Sequence, residues 1–414
     1  MSLRRARCAA LAIGLGACAS VGTPGAEPDG APDTRGSAFG VVAQTLLDSA
    51  ASKYRRVART YDPARGVPRS TRPDGSWSTA PVSDWTSGFY AGTLWYLHEY
   101  SLDPVLRAQA ERFTLPIAAV AGGEAGHDPG SPFVASFGNA YRITRDERFH
   151  APLVDAARQL AGRYDPEVGA IRSSSRGDWT HPVLIETLVD LELLMWGAAH
   201  GGDAGWAELA RTHGRRTLAS HVRPDGGTFQ LVDFDPRTGA LLRRAAPQGA
   251  GDSTTWARGH AWGIYGFTVL YRFTRDPRFL SGAERLAVYA LRRLPDDHVP
   301  CWDYQAPGCP DRAQRDASAA AIMASALLEL STFVRGESSA RYREAAEAML
   351  ESLASPSYLA PNGSSALLLH SVGDHRRNTE VNVGITYADY YFVEALLRYL
   401  QLGGESGVRV LEMP

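Results

Sequence analysis

The chain has little cysteine, no excess of either charge and no long apolar run, and each shortage removes a class of protein. Of four cysteines in 414 residues, Cys8 and Cys18 fall in a leader-like N-terminus, leaving Cys301 and Cys309. That pair has neither CxxC spacing nor a histidine cluster nearby, which disfavours zinc. In an oxidising compartment, a separation of eight residues inside a Pro/Gly-rich loop suits a small disulfide, with two free thiols as the alternative. A formal net charge of −2, with no basic run among the aromatics, gives no nucleic-acid footprint. The apolar run Cys8 to Ala17 is too short to span a bilayer. Sustained alternation with a period of two is missing as well, which argues against a sheet-built fold.

What is present is the composition of a globular protein with a substantial core, 44% hydrophobic and 21% charged. The length admits one large domain or two or three ordinary ones. Arg4, Arg5 and Arg7 precede the short apolar run, as in an export signal, and the run ends in Leu15-Gly16-Ala17-Cys18. That ending resembles the bacterial lipobox, in which the cysteine is lipidated and becomes the mature N-terminus. The expectation is a lipoprotein signal over 1–18, then a Gly/Pro/Asp/Ser-rich tether over 19–40. The protein would then be exported to the periplasm or cell envelope, touching a membrane only through a lipid on Cys18. A plain signal peptide cut nearby is the alternative.

From residue 41 to 402 apolar residues recur every three or four positions, which predicts an all-α domain, with a short tail over 403–414. Helices are expected near 41–59, 86–100, 103–117, 132–144, 147–164, 183–199, 203–220, 260–274, 277–294, 316–333, 338–354 and 387–401. The pattern YRxTRDxRF occurs at Tyr141–Phe149 and again at Tyr271–Phe279, with a looser copy at Glu99–Pro104. Each copy joins two helices through a turn whose Thr or Asp can cap the second. Helical hairpins cannot bury their apolar faces alone and must stack. Six hairpins point to a closed (α/α)6 barrel; an open solenoid is the alternative. The longer connections, 60–85, 118–131, 165–182, 221–259, 295–315 and 355–386, all precede an expected inner helix, which collects them at one end as a cleft. Within 221–259, Asp233–Gly239 reads as a short β-hairpin.

Chemistry-bearing residues gather at those junctions. Trp256, Arg258, His260 and Trp262 fall within seven residues, just before a helical run. Flat rings to stack on a sugar and a fixed cation to meet a carboxylate are what a uronic-acid pocket needs, although tryptophans at a helix start also serve as plain core. Trp85 precedes the first inner helix, and His127-Asp128-Pro129-Gly130 the second. Glu186 and Asp190, four apart, share a helix face among leucines and Ile185. A carboxyl in such surroundings resists ionising, and with Asp128 it makes the carboxyl pair that acid/base work on sugars uses. A capping Asp128 and a solvated Glu186 are the alternative.

At these positions the chain resembles glycoside hydrolase family 88, the unsaturated glucuronyl hydrolases, and more distantly the rhamnogalacturonyl hydrolases. The resemblance covers about 41–402 and rests on WTSGFYAG at 85–92, HDPG at 127–130, RPDGGTFQLVDFDPRTG at 223–239 and QGAGDSTTWARGHAWGIYGF at 248–267. It continues through WDYQAP and RDASAAAIMASALLEL within 302–330 and YADYYFVEALLRYL at 387–400. It implies an (α/α)6 barrel and removal of a 4,5-unsaturated uronic acid from the non-reducing end of lyase-generated oligosaccharides. A carboxylic acid protonates C4 of the enol ether, water adds at C5, and the hemiketal opens to release the partner sugar, with no metal or nucleotide. Asp128 then matches the first essential aspartate, with His127 beside it. Trp85, Gln248, Trp256, Arg258 and Trp262 match substrate-binding positions. The donor aspartate falls on Glu186 and a following Asn on Asp190. Asp190, His127, Gln230 and His260 join the expected substrate-binding set, with Gln248 or His260 helping Arg258 to meet the polar groups of the sugar.

The chain departs from the pattern elsewhere too. Gln230 replaces a sugar-binding His, His260 stands where Gln is usual, and an aromatic expected near Ser173 and Ser174 is missing, with Trp179 as a possible substitute. The longer Glu186 adds about 1.5 Å of reach, and misplacement of that order costs roughly 10²-fold in rate unless the pocket compensates. These departures suggest a variant substrate preference. Two other readings stand beside this one: an unsaturated rhamnogalacturonyl hydrolase, and a non-catalytic carbohydrate-binding lipoprotein.

Overall fold

The computed structural model describes residues 38–122, 129–173 and 177–404. The leader, the expected tether up to residue 37, His127, Asp128 and Ser174 lie outside the described residues, and residues 38–40 of that tether already belong to the first helix.

The helices are α1 (Ala38–Val57), α2 (Ser87–Ser101), α3 (Pro104–Thr114), α4 (Gly130–Phe133), α5 (Asn139–Thr144), α6 (His150–Ala161) and α7 (Thr187–Ala199). They continue as α8 (Trp206–His221), α9 (Ala257–Thr274), α10 (Pro277–Leu291), α11 (Ala317–Ser331), α12 (Glu337–Leu353) and α13 (Thr386–Leu402). A π-helical turn, Val134–Gly138, joins α4 and α5 into one rod, so all twelve expected helices are present.

Burial sorts them into two layers. The residues of α7 up to Gly197, and all of α11, are buried, as an inner helix must be when packed on every side. The outer helices α6, α8, α10 and α12 bury one face. In the inner layer, α2 packs on the 130–144 rod, which packs on α7; α7 packs on α9, α9 on α11, α11 on α13, and α13 returns to α2. That last contact closes the ring and excludes the open solenoid.

The sequence echo is a turn with a physical cause. Leu102, Arg145 and Arg275 each end a helix in the left-handed conformation, with φ of 55°, 56° and 55°. Asp103, Asp146 and Asp276 follow, and their carboxylates accept from the N–H groups of Val105, Arg148 and Arg278. A left-handed stop followed by an aspartate cap makes each helical hairpin tight.

Small antiparallel sheets stand at the end where the inner helices begin. The expected hairpin is β6 (Leu231–Phe234) with β7 (Leu241–Ala245), and a third strand, β5 (Pro182–Leu184), pairs with β6. The helix expected from 183 therefore starts later, because residues 182–184 are drawn into this sheet. Sequence gave no sign of β1 (Val67–Thr71) with β2 (Trp77–Ala80), β3 (Tyr164–Asp165) with β4 (Ala170–Ile171), or β8 (Ser371–Asp374) with β9 (Thr379–Val383). Cys301 and Cys309 are bridged, with Cα atoms 6.2 Å apart.

Candidate active site

A cavity of about 210 Å³ opens at the sheet-bearing end of the barrel, and five of the six long connections or the helix starts that follow them supply its walls. One wall is aromatic. Trp85, just ahead of α2, stacks on Tyr387 with ring centroids 5.2 Å apart and meets Trp262 edge-on at 5.7 Å. Trp256 stands 6.3 Å from Trp262. The guanidinium carbon of Arg258 lies 4.5, 5.1 and 5.5 Å from the rings of Trp256, Tyr387 and Trp262, within cation–π range of each.

Arg258 is 2% exposed. Its Nη1 donates to the carbonyl of Val372 and lies 3.5 Å from Asp316, and its Nη2 donates to the carbonyl of Gly373 at 2.7 Å. Glycine at 373 leaves room there for Glu380, since a Cβ would stand 2.6 Å from the Cβ of Glu380.

Glu186, the residue before α7, also lines the cavity, beside Leu184 and Val189. Gln230 Nε2 donates to Glu186 Oε1 at 2.9 Å and reaches Gln248 Oε1 at 2.8 Å. The Gln230 oxygen accepts from the Gln248 N–H, and Gln248 Nε2 donates to the carbonyl of Gly373. These amides fix the carboxyl of Glu186 on one side and the β8–β9 hairpin on the other.

At the rim Arg69 makes a two-pronged contact with Glu380, at 2.7 and 2.9 Å, and reaches Asp84 at 2.5 Å. This ties the β1–β2 hairpin to β8–β9.

Trp85, Glu186, Gln248, Trp256, Arg258 and Trp262, singled out from sequence, therefore converge on one cavity. Gln230 stands just behind it, 2% exposed. Two expectations need correction. His260 was expected to meet the sugar, yet its ring is fully buried on the far side of α9, sharing a hydrogen bond with Thr228 and another with the carbonyl of Leu286. Two residues after Arg258 on a helix, it points about 200° away, so both cannot face the cleft. Asp190, also expected to bind substrate, is 1% exposed, does not line the cavity, and accepts from Ser131, which does.

Trp179 does not stand in for the missing aromatic at the cavity; Arg243 stacks on it at 3.7 Å beside the outer strand. Ser173 is buried and accepts from the Leu184 N–H. Sequence missed Arg69, Ser131, Arg377, Glu380 and Tyr387. Tyr387 sits at the start of the last inner helix, so the rule that found Trp85 would have found it. Arg69, Arg377 and Glu380 lie on or between strands too short to show alternation.

A closed ring of six helical hairpins with a carboxyl and stacked aromatic walls where its inner helices begin is the build of an α-toroidal glycoside hydrolase. No family model matches the chain. An unsaturated glucuronyl hydrolase of Formosa agariphila is 36% identical over 325 residues, covering 77% of this chain and 80% of that one. The crystal structure of an unsaturated glucuronyl hydrolase specific for heparin superposes with a TM-score of 0.84 at 40% identity, covering 87% of this chain and 97% of that one. An unsaturated glucuronyl hydrolase of Streptococcus agalactiae complexed with dGlcA-GalNAc6S gives 0.74 at 26% identity, covering 89% and 93%. The chain belongs to the unsaturated glucuronyl hydrolases.

Proposed function

We propose that this enzyme removes the 4,5-unsaturated uronic acid from glycosaminoglycan oligosaccharides, with Glu186 as the proton donor. The acid protonates C4, positive charge develops at C5 and the ring oxygen, and a water adds its oxygen to C5. The proton that water loses returns to the carboxylate, so the inventory closes without another reactant, and the hemiketal opens to free the partner sugar. Asp128 would orient the water or a sugar hydroxyl. The aromatic wall stacks on the ring and Arg258 faces its polar edge.

The observation that carries this reading is the contact between Glu186 and Gln230. These are two of the departures from the family pattern, and they touch. A glutamate longer than the usual aspartate is braced by the glutamine that replaces the usual histidine, which favours a retuned site over a retired one. A heparin-type unsaturated disaccharide is the first substrate to try, because the relative specific for heparin is 40% identical.

The test is a panel of lyase-generated unsaturated disaccharides, including chondroitin-type and rhamnose-linked members, followed by loss of ultraviolet absorbance. Turnover of a glycosaminoglycan member supports the reading, turnover of the rhamnose-linked member alone replaces it, and binding without turnover supports the carbohydrate-binding protein. Glu186→Gln is expected to abolish turnover with helical circular dichroism unchanged. An active Glu186→Gln sinks the donor assignment.

Export with a lipid on Cys18 belongs to the same proposal. The disulfide between Cys301 and Cys309 supports an oxidising compartment. Mass spectrometry of the mature N-terminus tests it, and an unmodified cleavage product ends it.

A further inference from the structure

We propose that Asp190 is a positioning residue, a buried carboxylate that clamps the first turn of α4 against α7 and so sets the spacing of two cleft walls. Asp190 lies one helical turn beyond Glu186 on α7 and is 1% exposed. Its Oδ1 accepts from the Ser131 N–H at 2.8 Å and from the Ser131 hydroxyl at 3.1 Å. The first N–H groups of a helix have no partner within it, and a carboxylate aimed at them makes a short, charge-assisted bond. Here that carboxylate comes from a different helix, so the bond joins two walls of the barrel. Ser131 itself lines the cleft.

The neighbouring backbone is built for this contact. A Cβ on Gly130 would stand 2.4 Å from the Asp190 Cα and 2.5 Å from its Oδ1, so only glycine lets the helix start approach. On the other side, a Cβ on Gly88 would stand 2.0 Å from the carbonyl of Pro132. The turn at 130–132 is therefore wedged between α2, three residues after Trp85, and α7, one turn after Glu186. No side chain spaces either contact. Such a joint transmits a shift of Asp190 directly to Ser131 and so to the cleft.

This rests on Glu186 acting from α7, and the experiment keeps the two apart. Steady-state kinetics of Asp190→Ala should show kcat lowered by roughly 10²-fold with KM within about threefold, the signature of misplaced groups. Asp190→Asn, which keeps an oxygen in the same place, should recover most of the lost kcat. Gly130→Ala, which leaves every polar group but forces the joint apart, should reproduce the kcat loss, and it stands in should Asp190→Ala fail to fold. The clamp is overturned by wild-type kcat in Asp190→Ala, by a loss confined to KM, by an Asn variant as slow as the Ala variant, or by a fully active Gly130→Ala. None of these readouts uses Glu186→Gln, so an active Glu186→Gln sinks the donor alone.

Discussion

Arg258 is held before any sugar arrives, by two backbone carbonyls, by Asp316 and by three rings. Its planar fork serves all of these at once, which a lysine ammonium cannot do. Two positions on, His260 shows how sharply a helix separates roles. Both its ring nitrogens are engaged, and burial pushes its pKa down to about 4. His260→Ala therefore removes buried volume and two hydrogen bonds, and should destabilise the fold by about 2–4 kcal/mol. Urea unfolding would read that loss, while kcat/KM of the folded enzyme should stay within about twofold. A specific rise in KM, with stability intact, would return His260 to the substrate.

The element that repeats is the hairpin turn, where the aspartate cap closes each unit. Asp276→Ala should cost about 1 kcal/mol by removing the acceptor for the Arg278 N–H. Asp146→Ala, in the equivalent turn of another hairpin, should cost a similar amount, and the double variant their sum, since distant sites add. Denaturant midpoints of the three variants check this, and a double variant no worse than either single one would show that the turns are not independent units. These turns were legible because Thr, Arg and Asp at fixed offsets mark a local event. The outer helices were legible because a helix buried on one face repeats its apolar residues with its own period, and the inner ones because a helix buried on every side reads as an apolar run too long for a strand. The β1–β2 and β8–β9 hairpins were not, because strands of four or five residues whose burial does not alternate carry no period to read. Their residues Arg69 and Glu380 meet across more than 300 positions of sequence, a pairing that only closure of the ring brings about. The cleft was therefore readable where its residues start helices and hidden where they ride on short strands.

At the scale of the whole molecule, the end of the barrel away from the cleft is filled with charge rather than oil. Arg272 bridges Glu192 at 2.5 Å and Glu329 at 3.0 Å, and Arg398 reaches Glu329 at 3.1 Å, linking α7, α9, α11 and α13. Removing one partner would strand another, typically at 3–5 kcal/mol. Burial raises the pKa of Glu192 there, and raises Asp389, which accepts from Tyr54 of α1, to about 6. Folded carboxyls of this kind take up protons before unfolded ones do, so they add stability as pH falls. The histidines act the other way. Burial lowers His213 to about 3 and His221 and His260 to about 4, against roughly 6.5 in an unfolded chain. Below pH ~6.5 the unfolded chain binds protons these rings refuse, so their stabilisation, complete above that value, is lost progressively toward pH ~4. Between pH ~6.5 and ~5 the three histidines outnumber Asp389, the carboxyl raised to about 6, so the unfolded state binds more protons, and each net proton is worth about 1.4 kcal/mol per pH unit. His98 and His181, lowered by burial as well, add to the same side. Urea unfolding at pH 7 and pH 5 should therefore show the protein weaker by about 2 kcal/mol or more at the lower pH. A stability that holds or rises on acidification would mean that the buried carboxyls, not the histidines, govern the acid limb.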